Sequence, residues 1–341
     1  MLFPELILSV MKFLNYERTV SSPYHLIKGK KSGQTIQDVG YYRLHPFFSV
    51  LPKLEKSVYD QAVSTLYAKG YLLENEKYIQ LTEKALQWTS PSSFLDGWKY
   101  RGNEQIFFKR LSLMIQTLSH VHQREKTFDP VQTSEEIQLW TRSYLQRIDF
   151  RQREVYDRFK KEVELSLAKL PIGDQQKLIL TLRLSGFGVS GLTWEQIASL
   201  IDLDPMDAQL QMVETLHVWM DSLNAIEQPL LFGLLTDLVQ ISSLTDSAQR
   251  TLKLFSQSYS LQEIAELRKL QTSTIEDHFV ELAMNDPHFN YLPFVTEDML
   301  KSIQKISSSQ GTKRLRDIKI KVPDASYFQI RLSLAIKGDS Q

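Results

Sequence analysis

Hydrophobic residues recur three and four positions apart along most of the chain, the spacing of helices with one buried face. LEKSVYDQAVSTLYAKG (54–70), NEQIFFKRLSLMIQTLSHVHQ (103–123) and a long run over 134–170 carry it clearly. The last run is expected to break near Ile148–Phe150. DQQKLILTLRL, TWEQIASLI, DAQLQMVETLHVWMDSL and PLLFGLLTDLVQIS read as further helices. Alternation of period two is confined to YLLENEKYIQLT (71–82), predicted as two short strands around ENEK, and RDIKIKV (316–322), predicted as a strand. No repeat of fixed period and no low-complexity segment interrupts the pattern.

The expected fold is mostly α, built of several helix-turn-helix modules. A helix over 54–69, ended by Gly70 and followed by GYLL…YIQLTEKA, resembles the helix, two-stranded wing and helix of a winged helix-turn-helix. LPIGDQQKLILTLRLSGFGVSGLTWEQIASLIDLDPMDAQLQMVETLHVWMDSL (170–223) resembles region 4 of sigma factors. There TWEQIASLI stands as the supporting helix and DPMDAQLQMVETL as the recognition helix. The expected division is a winged-helix-like segment 1–100, a helical connector 101–168, the sigma-like module 169–225 and a further helix-turn-helix segment with a basic tail, 226–341.

Composition narrows the function classes. The 341 residues are 42% hydrophobic and 23% charged, enough for globular cores. Cysteine is absent, which excludes disulfides, thiolate metal sites and cysteine nucleophiles and fits a reducing compartment. No run of 18 apolar residues occurs and no basic segment precedes MLFPELILSVMKFLN, so a cytoplasmic protein, nucleoid-associated or free, is expected. The zero net charge hides a polarity: residues 1–120 carry +5, 121–170 +1, 171–290 −10 and 291–341 +4. The two ends suit phosphate, and the acidic middle suits a basic protein surface.

Candidate phosphate chemistry lies in YHLIKGKKSGQTIQD (24–38), where Lys28, Lys30 and Lys31 alternate with glycines ahead of Ser32, Gln34 and Thr35. The same run also reads as an ordinary solvated basic turn. Lys53 and Lys56 open the helix that precedes the expected wing. The tail GTKRLRDIKIKV adds Lys313, Arg314, Arg316, Lys319 and Lys321, either for phosphate or as protection of a strand edge. Catalytic chemistry has no visible carrier. GFGVSG (186–191) matches GxGxxG, but a helical pattern follows where a second parallel strand is needed. KGKKS lacks the remaining residues of a P-loop, and the seven histidines have no metal-ligand spacing. No cofactor, metal or enzymatic activity is expected.

SLQEIAELRKLQTSTIEDHFVEL (260–282) has the pattern of a helix-turn-helix, with Leu261, Ile264, Ala265, Ile275, Phe279 and Leu282 facing inward. Together with YFQIRLSLA near the end, it resembles the helicase-associated helix-turn-helix domain. That domain occurs at the C-terminus of some RecQ helicases and in stand-alone YpbB-like proteins, which are thought to accompany a RecQ helicase lacking it. With YHLIKGKKSGQTIQD the resemblance to the YpbB family covers most of the chain. It implies a non-enzymatic accessory protein that tethers a RecQ-type helicase to nucleic acid in DNA repair or recombination. The second helix carries Glu276, Asp277 and Glu281 and no cation, and the sigma-like module carries Asp204, Asp207 and Glu214. Such helices are poor DNA readers, so these acids are expected to face a protein partner, while the basic ends meet DNA weakly or by its structure. Glu276 and Asp277 also suit the positive end of a helix capped by Thr272 or Ser273. The alternative expectation is a transcriptional regulator reading duplex DNA through the 54–69 helix.

Overall fold

The structure, a computed structural model, describes residues 1–73, 78–125, 127–238, 244–286 and 288–336. Among these, helices account for nearly all regular structure, and no sheet forms. No described helix is long and apolar enough to cross a membrane. Two compact units are each assembled from separated stretches of chain. The first comprises Met1–Ile7, Ser49–Glu55 and Thr89–Gln240; the second comprises Leu8–Phe48, Lys56–Trp88 and Ile241–Gln341. Each unit thus draws on stretches far apart in the chain. Helix α1 (Phe3–Phe13) gives its first residues to the first unit and the rest to the second.

The first unit holds α6 (Gly97–Tyr100) to α13 (Pro229–Phe232), after α2 to α5 have passed in the second. The run 134–170 breaks where expected, into α8 (Glu135–Arg147) and α9 (Arg153–Ala168). Its core centres on Trp219 of α12 (Pro205–Ser222), fully buried, edge-on to Phe107 of α7 (Asn103–His122) with centroids 5.9 Å apart. The indole N–H donates to Ser166 Oγ at 2.8 Å, so the largest core side chain leaves no polar atom unpaired. α11 (Trp194–Ile201) starts with a Thr193–Gln196 capping box, and Pro205 starts α12 behind the N-cap Asp204. Between α10 (Asp174–Leu182) and α11, GFGVSG forms a tight loop with a single Gly186–Val189 bridge, a connector between helices. PLLFGLLTDLVQIS yields one turn, α13, and its last residues lie outside the described chain.

In the second unit, α2 (Ser22–Ile27), α3 (Gly33–Tyr41), α4 (Lys56–Ala68) and α5 (Glu83–Gln87) precede α14 (Asp246–Phe255), α15 (Leu261–Arg268), α16 (Thr272–Asn285), α17 (Glu297–Gln310), α18 (Leu315–Lys321) and α19 (Tyr327–Ala335). Gly70, at φ +69°, ends α4 as expected. The wing does not develop among the described residues. Leu72 bridges Leu81 and Thr19 bridges Tyr78, each in isolation, and the ENEK turn (74–77) lies outside the described residues. Residues 16–19 take up the hydrogen bonds of 78–79, with Tyr16 N–H on Ile79 O at 2.7 Å and Ile79 N–H on Arg18 O at 2.8 Å. RDIKIKV is helical rather than extended. Leu315, Ile318 and Val322 fall on one helical face toward Ile303 and Ile330, and Lys319 Nζ holds the turn after the helix by donating to the carbonyls of Pro323 and Ala325. Ile320, read as a strand partner of Ile318, is exposed.

Candidate nucleic-acid interface

Three helices, α14, α15 and α16, form the helix-turn-helix core of the second unit around Phe279, Ile275 and Ile264, all fully buried. A capping box starts α15: Glu263 N–H donates to Ser260 Oγ, and Ser260 N–H donates to the Glu263 carboxylate at 2.8 Å. Lys269 in the left-handed region ends it. The N-cap of α16 is Gln271, one residue ahead of the expected Thr272 or Ser273, and its side chain makes no cap bond. A polar strut ties the three helices together. Arg268 of α15 donates to Ser247 O and Thr251 Oγ1 of α14, and Thr251 lies 2.9 Å from Nδ1 of His278 on α16. Burial, then the neighbouring Arg268 guanidinium, pushes His278 down to about 4.

Beyond its first turn, the helix that a helix-turn-helix would send into the major groove is covered. From Ile275 to Ala283 no residue of α16 is exposed. Helices α3 and α19 lie against it. The apolar contact is closed at one end by polar groups: Arg331 of α19 pairs with Glu276 at 2.9 Å and with Asp277, and Gln37 of α3 donates to Asp277 at 3.2 Å. The Tyr41 hydroxyl donates to Arg331 O at 2.7 Å. Gly33 and Gly40 permit the close approach of α3, since a methyl on either would overlap Asp277 or Met284. Glu281 accepts from the backbone and hydroxyl of Thr245. Burial raises the Glu276 and Asp277 carboxyls, against the opposing pull of Arg331.

The same holds for the sigma-like module. Every residue of α12 from Asp207 to Met220 is buried or half-buried. Asp204 caps α12 through Met206 N–H at 2.8 Å, and Asp207 accepts from Phe3 N–H at 2.6 Å. Glu214 accepts from Ser93, Phe94 and Gln176. The six acids singled out in the sequence are thus engaged inside their own units, as caps, as partners of an arginine or as acceptors of hydrogen bonds. Base reading needs exposed donors and acceptors; α12 from Asp207 to Met220 and α16 from Ile275 to Ala283 present none, and in α16 they are confined to the first turn, with Thr272 and Ser273.

The N-terminal cations are placed differently. Lys28, Lys30, Lys31, Gln34 and Lys56 are exposed, while Ser32 and Thr35 are absorbed in the N-cap of α3. Tyr24 organises the cluster. Lys28 Nζ donates to its hydroxyl at 3.2 Å, and the Lys28 and Lys56 ammonium groups lie 5.4 and 5.7 Å from its ring centroid. His25 is pushed down by burial and by Lys30 and Lys56, a sign of local positive potential. Lys56 also pairs with Asp60. Lys53 is exposed in the first unit. In the tail, Lys313 donates to Tyr41 O, and Arg314 sits over the Tyr78 ring at 4.5 Å and pairs with Asp317. Lys319 is taken up by the turn after α18, leaving Arg316 and Lys321 exposed.

Two residues that the sequence reading passed over matter most: Tyr24, whose spacing of four from Lys28 was a usable signal, and Arg331, the lone cation of an otherwise apolar helical stretch. No group of three His, Asp or Glu side chains among the described residues is placed to hold a metal ion.

Comparison with known proteins agrees with this architecture. A family described as a helix-turn-helix domain matches residues 247–334. Protein YpbB of Bacillus subtilis (strain 168) is 30% identical over 342 residues, spanning 97% of this chain and 96% of that protein. No solved structure matches.

Proposed function

This chain belongs to the YpbB family, and on that premise we propose that it is a non-enzymatic, nucleic-acid-binding accessory protein of a RecQ-type helicase. The observation that carries the nucleic-acid half is a contrast of exposure. Beyond their first turns the recognition helices α12 and α16 are covered, whereas Lys28, Lys30, Lys31, Gln34 and Lys56 stand in solvent beside Tyr24. A cluster of ammonium groups without a base-reading helix binds phosphate by releasing counterions, so affinity is steeply salt-dependent and tolerant of sequence. Charge-neutral glutamines at the four lysines should reduce the slope of log K against log salt by up to about 3.6, taking 0.9 per duplex phosphate contact. An unchanged slope would remove this cluster from the interface.

The helicase half is supported by the resemblance of residues 244–286 and 291–337 to the helicase-associated domain. With Glu276, Asp277 and Glu281 engaged internally, the acidic surface offered to a partner consists of exposed carboxylates such as Asp202, Asp246 and Glu266. Tethering of this kind raises the helicase concentration at its substrate without new chemistry. Capture of the cognate helicase should use the full chain, because a cut near residue 165 divides both units. No capture at low salt would sink the adaptor role.

One observation favours a second reading, a sequence-specific regulator. Helix α4 keeps an exposed polar face with Lys56, Ser57, Gln61 and Ser64. On that reading Gln61→Ala relaxes sequence preference, while on the accessory reading it leaves preference unchanged.

A further inference from the structure

The first unit carries an aromatic and basic strip that the accessory role above does not use. His120, near the end of α7, packs its ring on Phe128 at 4.5 Å between centroids, and Phe187 of the GFGVSG loop meets the other side edge-on at 5.4 Å. Phe187 is 45% exposed despite its size, and Ser119 Oγ holds its loop by accepting from Phe187 N–H at 2.9 Å. Phe128 also forms one wall of a groove of about 370 Å³, whose lining continues through Leu145, Phe150, Arg142 and Arg151. The Arg151 guanidinium stacks on the Phe150 ring at 4.8 Å, a flat surface that is cationic and aromatic together. Arg142 and Arg151 are exposed, no ion pair engages either among the described residues, and no carboxylate lines the groove.

An exposed ring, Phe187, and half-buried rings, Phe128 and Phe150, beside exposed arginines are the elements on which unpaired bases stack while phosphates are held. A duplex hides its base faces and cannot use them. We propose that this groove and strip bind unpaired single-stranded nucleic acid, with a base against Phe150–Arg151 and the adjoining phosphate on Arg142. The inference rests on the nucleic-acid reading above and extends it: the lysine cluster of the second unit meets backbone of either form, and this strip selects single strand.

The test is fluorescence anisotropy of the full chain with a labelled oligothymidine of about 20 nucleotides, longer than a typical single-strand site, and with a duplex of equal length. Phe150→Leu keeps apolar bulk and removes the stacking face; Arg142→Gln with Arg151→Gln removes exposed charge and leaves the fold intact. Each should weaken single-strand binding about tenfold, the effect of one lost stacked base, and leave duplex affinity within twofold. Equal losses on both forms, undiminished single-strand binding, or a parent chain that holds duplex but no single strand would each overturn the proposal. Lysine variants without effect, alongside selective losses in the groove variants, would sink the lysine interface and support this one.

Discussion

Lowering the pH from 7.5 to 5.5 should loosen the helix-turn-helix core through one side chain, His278. It is 7% exposed and its Nδ1 faces the Thr251 hydroxyl. Arg268 donates to the same Thr251 oxygen, so the hydroxyl proton is directed to His278, which must stay neutral to accept it. A folded value near 4, set by burial and then by Arg268, compares with 6.5 in the unfolded chain. The unfolded state therefore takes up the proton first. The contribution is complete above about 6.5 and is lost as pH falls through the window down to about 4. Over the two units of the experiment the loss is about 1.3 kcal/mol, roughly ninefold in an opening equilibrium. Native-state hydrogen exchange of the α16 amides, corrected for intrinsic rates, reads it directly. His278→Gln keeps an acceptor for Thr251 and cannot titrate, so its protection should be flatter by that amount. The comparison cancels His25, which burial also depresses, and the raised carboxyls of Asp38, Glu276 and Asp277. Parallel pH profiles for parent and variant would refute the reasoning.

Other outcomes follow from the cover over α16. Arg331→Met strands the Glu276 and Asp277 carboxylates and should cost about 2–3 kcal/mol by denaturant unfolding, less than for a fully buried pair; adding Glu276→Gln and Asp277→Asn should restore most of it. Gly33→Ala drives a methyl into the Asp277 carboxylate and should expose α16 amides to faster exchange without affecting α12. Gly191→Ala meets the Arg183 carbonyl oxygen, a backbone atom that cannot step aside, and should lower stability by about 1–3 kcal/mol. Gly70→Ala meets no atom and pays only for its left-handed φ, about 1 kcal/mol, so the ordering of these two variants checks the geometry.

Periodicity made the helices legible because burial on one face is a local property of sequence. The break at Ile148–Phe150 and the Gly70 stop could both be read from short windows. Residues 316–322 misled because Ile318 and Ile320 satisfy period two, while the helical set Leu315, Ile318 and Val322 is completed only by contacts with Ile303 and Ile330. The acids of α16 misled for a related reason. Glu276 and Asp277 meet a cation more than fifty residues downstream, and Gln37, which also binds Asp277, lies 240 residues upstream. Charge counted along the chain cannot reveal a partner supplied by folding.

The matched helix-turn-helix segment, residues 247–334, is completed by a helix made long before it. Tyr41 belongs to its core, and α3 covers α16. During synthesis α3 emerges first and must wait for roughly 240 further residues before α16 is complete, about 12–50 s at ribosomal rates. Through that interval its apolar face, with Ile36, Val39 and Tyr41, has no α16 to meet. Translation speed and chaperone supply thus become determinants of how much of this protein reaches its native state.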